Sequence, residues 1–179
     1  MRPAWIAAAF FVAATAPAAA QIDEVRVGLL IHDTGPFSTG KEDGVDFNGE
    51  VIFNSPSGLS WLGAPRPFVG LAIAANDDAT SQLYGGLGWR LRLSPQVFAG
   101  AGVGLVIHDG ETDFDPADPF LPDTAYLGCR VLGRLSGEVG YRLGGGLSAS
   151  VEFAHASNAG ICDENEGIDT VGFRLGYKF

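Results

Sequence analysis

The sequence predicts an all-β protein, namely an eight-stranded antiparallel transmembrane β-barrel of the outer-membrane class. Three observations lead to this prediction. Apolar residues alternate with glycine, polar and charged residues through most of residues 25–179. Most of the alternating segments are close to the roughly 9–11 residues that a tilted strand needs to cross a bilayer. The less apolar face carries charges of both signs, as the polar interior of such a barrel requires.

The first twenty residues read as an export signal. Arg2 gives a positive amino-terminal region, residues 4–14 form an apolar run, and residues 18–20 are alanines that suit a cleavage site before Gln21. The apolar run is too short for a membrane-spanning helix. We therefore expect a signal peptide at residues 1–20 and one outer-membrane β-barrel domain at residues 21–179.

The exported part would be strongly acidic. The chain has 11 lysines and arginines against 21 acidic residues, and loss of Arg2 leaves ten basic residues, a net charge of 10 − 21 = −11. A surface of this charge argues against nucleic acid as a partner. No later segment approaches the roughly 18–20 uninterrupted apolar residues of a membrane-spanning helix.

The first four predicted strands are amphipathic to different degrees. In the first, second and fourth, apolar residues occupy alternate positions, and glycine, asparagine or charged residues stand between them. A period of two is typical of a strand with one apolar face. The third strand is more apolar on both faces. These strands cover residues 25–31, 45–54, 69–75 and 83–93.

The last four predicted strands repeat the pattern with more glycine. The fifth has glycine at positions 100, 102 and 104, and the sixth and seventh alternate apolar with charged or small residues. The eighth ends in GYKF and resembles the C-terminal strand of outer-membrane proteins. We expect these strands at residues 97–107, 131–143, 147–153 and 171–179.

Charged residues decide between a soluble and a membrane barrel. In a soluble barrel the charged face would be outside, whereas in an outer-membrane barrel it is inside and the apolar face meets lipid. Charges of both signs could pair in the interior. His32 and His108 have the same inward parity, and we expect them in the interior polar network. The other predicted inward charges are Asp46, Glu50, Glu138 and Glu152 against Arg90, Arg92, Arg134, Arg142 and Arg174.

The connections alternate between short turns and long acidic loops, as in outer-membrane barrels. The loop at 109–123 lacks the glycine and glutamate of an EF-hand, so a solvated loop is favoured over a Ca²⁺ site. The long segment 55–66, on the short-turn side, remains unexplained. Side chains fill the interior of so small a barrel, which argues against a pore. The short turns are 94–96 and 144–146; the long loops are 33–44, 76–80, 109–127 and 158–168.

Parity places a polar pair on the lipid-facing side of the seventh strand. Val151 belongs to this face, and His155 and Ser157 continue it. Asp169 has the parity of the lipid-facing residues of the eighth strand, and it lies at the outer end of that strand, beside the outer end of the seventh. A histidine can take the proton of a serine, and a carboxylate can orient that histidine, so the three could form a Ser-His-acid site. Parity alone favours the other interpretation, that these are ordinary polar residues at a barrel rim.

Residues 155–179, HASNAGICDENEGIDTVGFRLGYKF, contain a His-x-Ser-Asn motif followed by Asn-x-Gly and an acid. This segment resembles the C-terminal hairpin of PagL-type lipid A 3-O-deacylases, also called acyloxyacyl hydrolases. The stretch LGCRVLGRLSGEVGYRL, residues 127–143, is similar to the sixth strand of that family. The resemblance implies an outer-membrane esterase that removes the 3-O-linked acyl chain of lipid A.

The resemblance also implies residue roles. Ser157 would be the nucleophile, His155 the base and Asp169 the orienting acid, while Asn158 and Asn165 would be oxyanion or structural residues. A family enzyme has glutamate where this chain has Asp169, which is one methylene shorter. If Asp169 is not the acid, Glu166 or Asp163 are the alternatives.

The implied partner is lipid A of lipopolysaccharide, in the bacterial outer membrane, with the active site facing the outer leaflet. We expect no cofactor and no catalytic metal. The sequence leaves open whether the barrel forms a homodimer. It also leaves open two other functions, a non-enzymatic barrel for adhesion or membrane integrity and an inactive relative that keeps the fold.

The two cysteines predict one disulfide. Export passes through an oxidising compartment. Cys129 lies at the outer start of the sixth strand, and Cys162 lies in the loop between the seventh and eighth strands. Because the sixth and seventh strands are neighbours, we expect the two thiols to be close. The alternative is a pair of free cysteines at the rim.

Overall fold

A computed structural model describes residues 21–117 and 121–179. The predicted signal peptide, residues 1–20, lies outside the described residues. Short 3-10 helices at Ser57–Leu62 and Leu121–Asp123 accompany the strands. The described strands are β1 (Ile22–Ile31), β2 (Val45–Phe53), β3 (Arg66–Ala74), β4 (Gln82–Arg92), β5 (Val97–His108), β6 (Val131–Gly144), β7 (Leu147–Ser157) and β8 (Ile168–Lys178).

The eight strands form one closed antiparallel barrel. Each strand pairs with its neighbours in the chain, and β8 pairs back with β1. Closure gives every strand two hydrogen-bonded neighbours, which a lipid environment demands because it offers no water to an open edge. The all-β, eight-stranded antiparallel fold predicted from the sequence is therefore confirmed. No helix among the described residues is long and apolar enough to cross a membrane.

The outer wall of the barrel is apolar. Leucine, valine, isoleucine and phenylalanine at alternate strand positions point outward, and many of these side chains are about half exposed or more. In water such a continuous apolar belt would be unfavourable, whereas in a bilayer it contacts acyl chains. The belt includes Val27, Leu29, Phe47, Leu105, Leu135, Val139, Val151 and Phe173.

The interior contains a network of buried ion pairs. Arg174, which is 2 % exposed, contacts three carboxylates, so its charge is compensated although it is shielded from water. A second interior arginine, Arg134, lies over the ring of Tyr84, with its guanidinium carbon 4.2 Å from the ring centroid. The main pairs are Arg26–Glu24 (2.9 Å), Arg26–Glu50 (3.1 Å), Arg26–Glu138 (3.1 Å), Arg90–Glu24 (2.8 Å), Arg174–Glu138 (3.0 Å), Arg134–Glu152 and Arg174–Glu152.

Two arginines predicted for this network do not join it. Arg92 is exposed, and Arg142 donates a hydrogen bond to the carbonyl oxygen of Pro95 (3.3 Å). Within the described part of the chain, neither forms an ion pair. Both lie near short turns, where an inward side chain can reach solvent. Arg26 takes part in their place.

The long connection between β2 and β3 is an ordered turn. Its 3-10 helix ends at Gly63, whose φ of 84° is in the left-handed region that glycine adopts without strain. The indole Nε1–H of Trp89, on the barrel wall, donates to the carbonyl oxygen of Leu62 (2.9 Å). This contact holds the turn beside β4.

Both inward histidines are buried at the long-loop end. His108 Nε2–H donates to the carbonyl oxygen of Cys129 (2.7 Å). His32 contacts two carboxylates, Asp46 through Nδ1 (2.9 Å) and Glu42 through Nε2 (3.1 Å). Glu42 belongs to the β1–β2 loop, so this loop reaches into the mouth of the barrel.

Glu42 is surrounded by donors. Besides His32, it accepts hydrogen bonds from the Thr80 amide (2.7 Å), the Thr80 hydroxyl (3.1 Å) and the Ala125 amide (3.2 Å). These contacts lower the pKa of Glu42 although burial opposes them. Burial likewise disfavours a charged His32, but the hydrogen bonds to Asp46 and Glu42 raise its pKa to about 9. The cluster closes the barrel mouth with a charged histidine between two carboxylates.

Candidate active site

The β7–β8 hairpin brings the predicted site residues together. Strand β7 continues without a register shift through Ala156 to Ser157, so His155 and Ser157 stay on the outward face. In the pairing of β7 with β8, His155 stands directly opposite Asp169. Side chains of directly opposed residues are close enough to interact.

The three side chains form a continuous hydrogen-bonded chain. Asp169 Oδ1 lies 2.7 Å from His155 Nδ1, and Ser157 Oγ lies 3.0 Å from His155 Nε2. An ionised carboxylate can only accept, so Nδ1 carries the imidazole hydrogen and Nε2 is left as an acceptor for the serine hydroxyl. This is the tautomer in which a histidine can act as general base toward a serine.

The environment of Asp169 differs from the prediction. Its outward parity predicted a lipid-facing side chain, but Asp169 is 0 % exposed. Residues 34–37 of the β1–β2 loop cover it. The Phe37 amide donates to Asp169 Oδ2 (2.7 Å), and the Thr34 amide donates to the Asp169 carbonyl oxygen (3.0 Å). No local signal in the sequence shows that this loop reaches β8, because the contact joins residues more than 130 positions apart.

The space around His155 and Ser157 is shaped by small residues and by one aromatic ring. Gly133 stands opposite Ser157 on β6. Gly167 has a φ of 65°, and a Cβ there would lie 3.1 Å from His155 Cε1, so a larger residue would be both strained and crowded. The ring of Phe37 meets that of His155 edge to face at 5.5 Å.

Asn158 organises the loop that follows Ser157. Its side-chain oxygen accepts from the Gly160 amide (2.8 Å) and the Ile161 amide (3.1 Å), and its Nδ2 donates to the Leu127 carbonyl (2.8 Å). Its own amide donates to Asn165 Oδ1 (3.0 Å). Of the two predicted roles, these contacts correspond to the structural one.

The alternative acids do not contact His155. Glu166 accepts from the Tyr126 amide (2.8 Å) and pairs with Lys41 (2.6 Å), so its carboxylate is engaged with other loops. The side chain of Asp163 is exposed. Of the three acids considered from the sequence, Asp169 is the one placed to orient His155.

Cys129 and Cys162 form a disulfide, with 5.8 Å between their Cα atoms. The bridge ties the residues just before β6 to the loop between β7 and β8. Asn158 also holds this loop, so its position beyond Ser157 is fixed by a covalent bond as well as by hydrogen bonds. In residues 21–117 and 121–179, no cluster of three histidine, cysteine or acidic side chains could hold a metal ion.

The site opens onto the apolar wall. Leu135, opposite His155 on β6, is 60 % exposed, and Val151 on the same face of β7 is 54 % exposed. The surface beside Ser157 is therefore suited to contact with acyl chains. The hydrogen-bonded chain suits nucleophilic attack on a carbonyl, with the proton moving to His155.

Comparison with known proteins identifies a matching family. The sequence model for the family described as Lipid A 3-O-deacylase (PagL) matches residues 81–178, more than half of the chain. This match covers β4 through β8 and includes all the candidate site residues, but not the β1–β2 loop. No curated protein matches the sequence of this chain.

Solved outer-membrane barrels share the fold. The crystal structure of the outer membrane enzyme PagL is 15 % identical, covers 87 % of this chain and 99 % of that chain, and has a TM-score of 0.62. The crystal structure of Neisserial surface protein A is 10 % identical, with a TM-score of 0.55 and coverage of 89 % and 99 %. At these identities, the likeness supports the barrel fold alone.

Proposed function

Because this chain belongs to the lipid A 3-O-deacylase (PagL) family, we propose that it hydrolyses the 3-O-linked acyl ester of lipid A in the bacterial outer membrane. One observation carries the proposal. Ser157, His155 and Asp169 form a hydrogen-bonded chain on the lipid-facing wall of the barrel, with distances of 3.0 Å and 2.7 Å. Such a chain on a surface that meets acyl chains suits an ester whose acyl part lies in the membrane.

The proposed reaction has two steps. Ser157 Oγ attacks the ester carbonyl while its proton moves to His155 Nε2, and Asp169 stabilises the imidazolium. The tetrahedral intermediate collapses, the bond to the sugar oxygen breaks, and the proton on His155 passes to that oxygen. Water then attacks the acyl-enzyme, with His155 again as base, and releases the hydroxy fatty acid.

The orientation of the site is part of the proposal. Long loops of outer-membrane barrels face outward and short turns face the periplasm. The site lies at the end of β7 and β8 that carries the long loops, which supports a position facing the outer leaflet, where lipopolysaccharide resides. The proposed reaction uses the side chains of a single barrel, so it requires no metal ion, cofactor or second subunit.

A reaction with purified protein tests the proposal. The folded barrel in detergent is mixed with lipid A that carries 3-O-linked hydroxyacyl chains, and in parallel with a synthetic lipid A that lacks them. We expect free hydroxy fatty acid from the first substrate only, detected by mass spectrometry. Release from neither substrate would favour a non-enzymatic barrel or an inactive relative, and release from both would contradict 3-O specificity.

A further inference from the structure

We propose that the β1–β2 loop, residues 32–44, is the positioning element of the candidate active site. Its residues 34–37 hold the Asp169 carboxylate against His155, and Glu42 anchors the loop inside the barrel mouth. This inference rests on the proposed function, in that it assigns the loop a role in the same reaction. The family match begins at residue 81, so it says nothing about this loop.

Asp169 is fully buried beneath the loop. A fully buried carboxylate needs hydrogen-bond donors to compensate for lost hydration. His155 Nδ1–H supplies one donor to Oδ1, and the Phe37 amide supplies another to Oδ2 at 2.7 Å. With one donor on each oxygen, the carboxylate is held against rotation. The loop therefore helps to fix the orientation of the carboxylate relative to the histidine.

Gly35 is the point of closest approach. A Cβ at position 35 would lie 2.6 Å from Asp169 Cβ and would overlap the carboxylate itself. Only a residue without a side chain lets the loop backbone lie against Asp169. The same contact leaves little space for a longer acid, which gives a physical reason why aspartate fits at position 169.

Phe37 adds a cover over the imidazole. Its ring meets His155 at 5.5 Å and Phe153 at 6.3 Å, both edge to face. The ring thus limits the positions open to His155, while the amide of the same residue restrains Asp169. Two members of the hydrogen-bonded chain are held by one loop residue.

The loop is anchored on the other side of the barrel wall. Glu42 is 4 % exposed and is bound by His32 and Thr80 inside the barrel mouth. Asp33 Oδ2 accepts from the Lys41 amide (2.8 Å) and the Glu42 amide (3.1 Å), which ties the start of the loop to its end. A buried cluster in the interior therefore supports the position of a loop that acts on the exterior.

A first pair of variants tests the contact with Asp169. Gly35→Ala inserts a methyl group where the carboxylate lies. Gly58→Ala is the control, because position 58 is exposed and a Cβ there meets nothing within 4 Å. The rate at which a fluorophosphonate probe labels Ser157 reports the reactivity of the serine without any lipid A. Folding is checked by the heat-dependent shift in electrophoretic mobility that intact barrels show.

We expect folded Gly35→Ala to be labelled roughly 10- to 100-fold more slowly than wild type, as for a displacement of about 1 Å near the chemistry. Its kcat on lipid A should fall by a similar factor with little change in KM. Gly58→Ala should match wild type in labelling rate, kcat and KM. Wild-type labelling and kcat in folded Gly35→Ala would overturn the proposal.

A second pair tests the anchor and keeps the proposal testable if Gly35→Ala does not fold. Glu42→Gln places an amide N–H₂ group among the donors that surround the carboxylate, whereas Asp43→Asn makes the same change at an exposed neighbour. We expect slower labelling of Ser157, by several-fold, in Glu42→Gln only. Equal rates in these two variants would refute the role of the anchor.

The labelling assay separates this inference from the proposed function. If wild-type Ser157 is labelled but lipid A is not hydrolysed, the proposed function fails, and the labelling rates of the variants still decide the role of the loop. If wild-type Ser157 resists the probe, the site is not an activated serine, and both ideas are rejected.

Discussion

His155 and Asp169 are directly opposed in the β7–β8 pair, with 2.7 Å between Nδ1 and Oδ1. They are 14 residues apart in the chain, and the β7–β8 hairpin places them opposite each other. Because Asp169 is fully buried while the His155 side chain is 22 % exposed, the acid is fixed and the base remains accessible. This asymmetry is what a Ser-His-acid site requires, since the base must exchange protons with substrate and water.

Replacement of the acid tests this arrangement. Asp169→Asn keeps the shape but offers an amide group to Nδ1, and the wrong tautomer of His155 should lower kcat by up to about 10⁴-fold. Asp169→Glu should also be slow, because the backbone at Gly35 lies close against the Asp169 side chain and a longer acid must displace it. Deacylation rates of both variants are compared with Asp163→Asn, which should stay active because that side chain is exposed. Wild-type rates in Asp169→Asn and Asp169→Glu would exclude Asp169 as the acid.

The interior network predicts a large difference between two arginines. Arg174→Met removes one arginine partner from each of Glu50, Glu138 and Glu152 and leaves excess negative charge in the interior, which should destabilise the barrel by about 3–5 kcal/mol. Arg92→Met is the control, because Arg92 is exposed. Urea unfolding of the barrels in lipid vesicles gives both free energies of unfolding. Equal effects would mean that the buried pairs do not stabilise the fold.

The His32 cluster predicts a dependence of stability on pH. The pKa of His32 is raised from 6.5 to about 9 by Asp46 and Glu42, so the charged form is favoured by folding. The resulting stability is complete below about pH 6.5 and is lost as pH rises through about 9. The temperature at which the heat-dependent mobility shift occurs should fall across this range. The fall should be smaller in His32→Gln; an identical pH profile would contradict this assignment.

The Cys129–Cys162 bridge predicts resistance to alkylation. Alkylation of the folded, unreduced protein should leave its intact mass unchanged, and prior reduction should add two alkyl groups. The disulfide closes the chain between Cys129 and Cys162 and should stabilise the barrel by at most roughly 3–4 kcal/mol, because the paired strands β6 and β7 already order most of this segment. Cys162→Ser should therefore still form a barrel, with a lower unfolding temperature. Two alkylated thiols without reductant would rule the bridge out.

The strands and the positions of His155, Ser157 and Asp169 follow from the sequence because strand periodicity is a local property. A residue at i+2 remains on the same face as long as no bulge intervenes, and β7 has none between Val151 and Ser157. Hairpin pairing then places Asp169 without knowledge of the rest of the chain. The family resemblance rests on this same hairpin.

The contributions of the loops could not be predicted in the same way. The contact between Phe37 and Asp169 depends on how the β1–β2 loop, residues 32–44, folds over the rim, for which periodicity gives no information. The same holds for Glu42, which enters the barrel mouth although it lies in a polar loop. Arg92 and Arg142 have inward parity but lie near strand ends, where parity no longer decides burial.

The mass of lipid A from cells that express the protein shows whether Ser157 deacylates lipid A in the outer membrane. Wild type and Ser157→Ala are expressed at equal levels, and both are verified as folded barrels in the outer membrane. With wild type, we expect lipid A to lose the mass of one 3-O-linked hydroxyacyl chain; in Ser157→Ala, loss of the nucleophile should reduce the rate by several orders of magnitude and leave lipid A intact. Unmodified lipid A with wild type would contradict the proposed deacylation, and equal deacylation with Ser157→Ala would contradict the role of Ser157 as nucleophile.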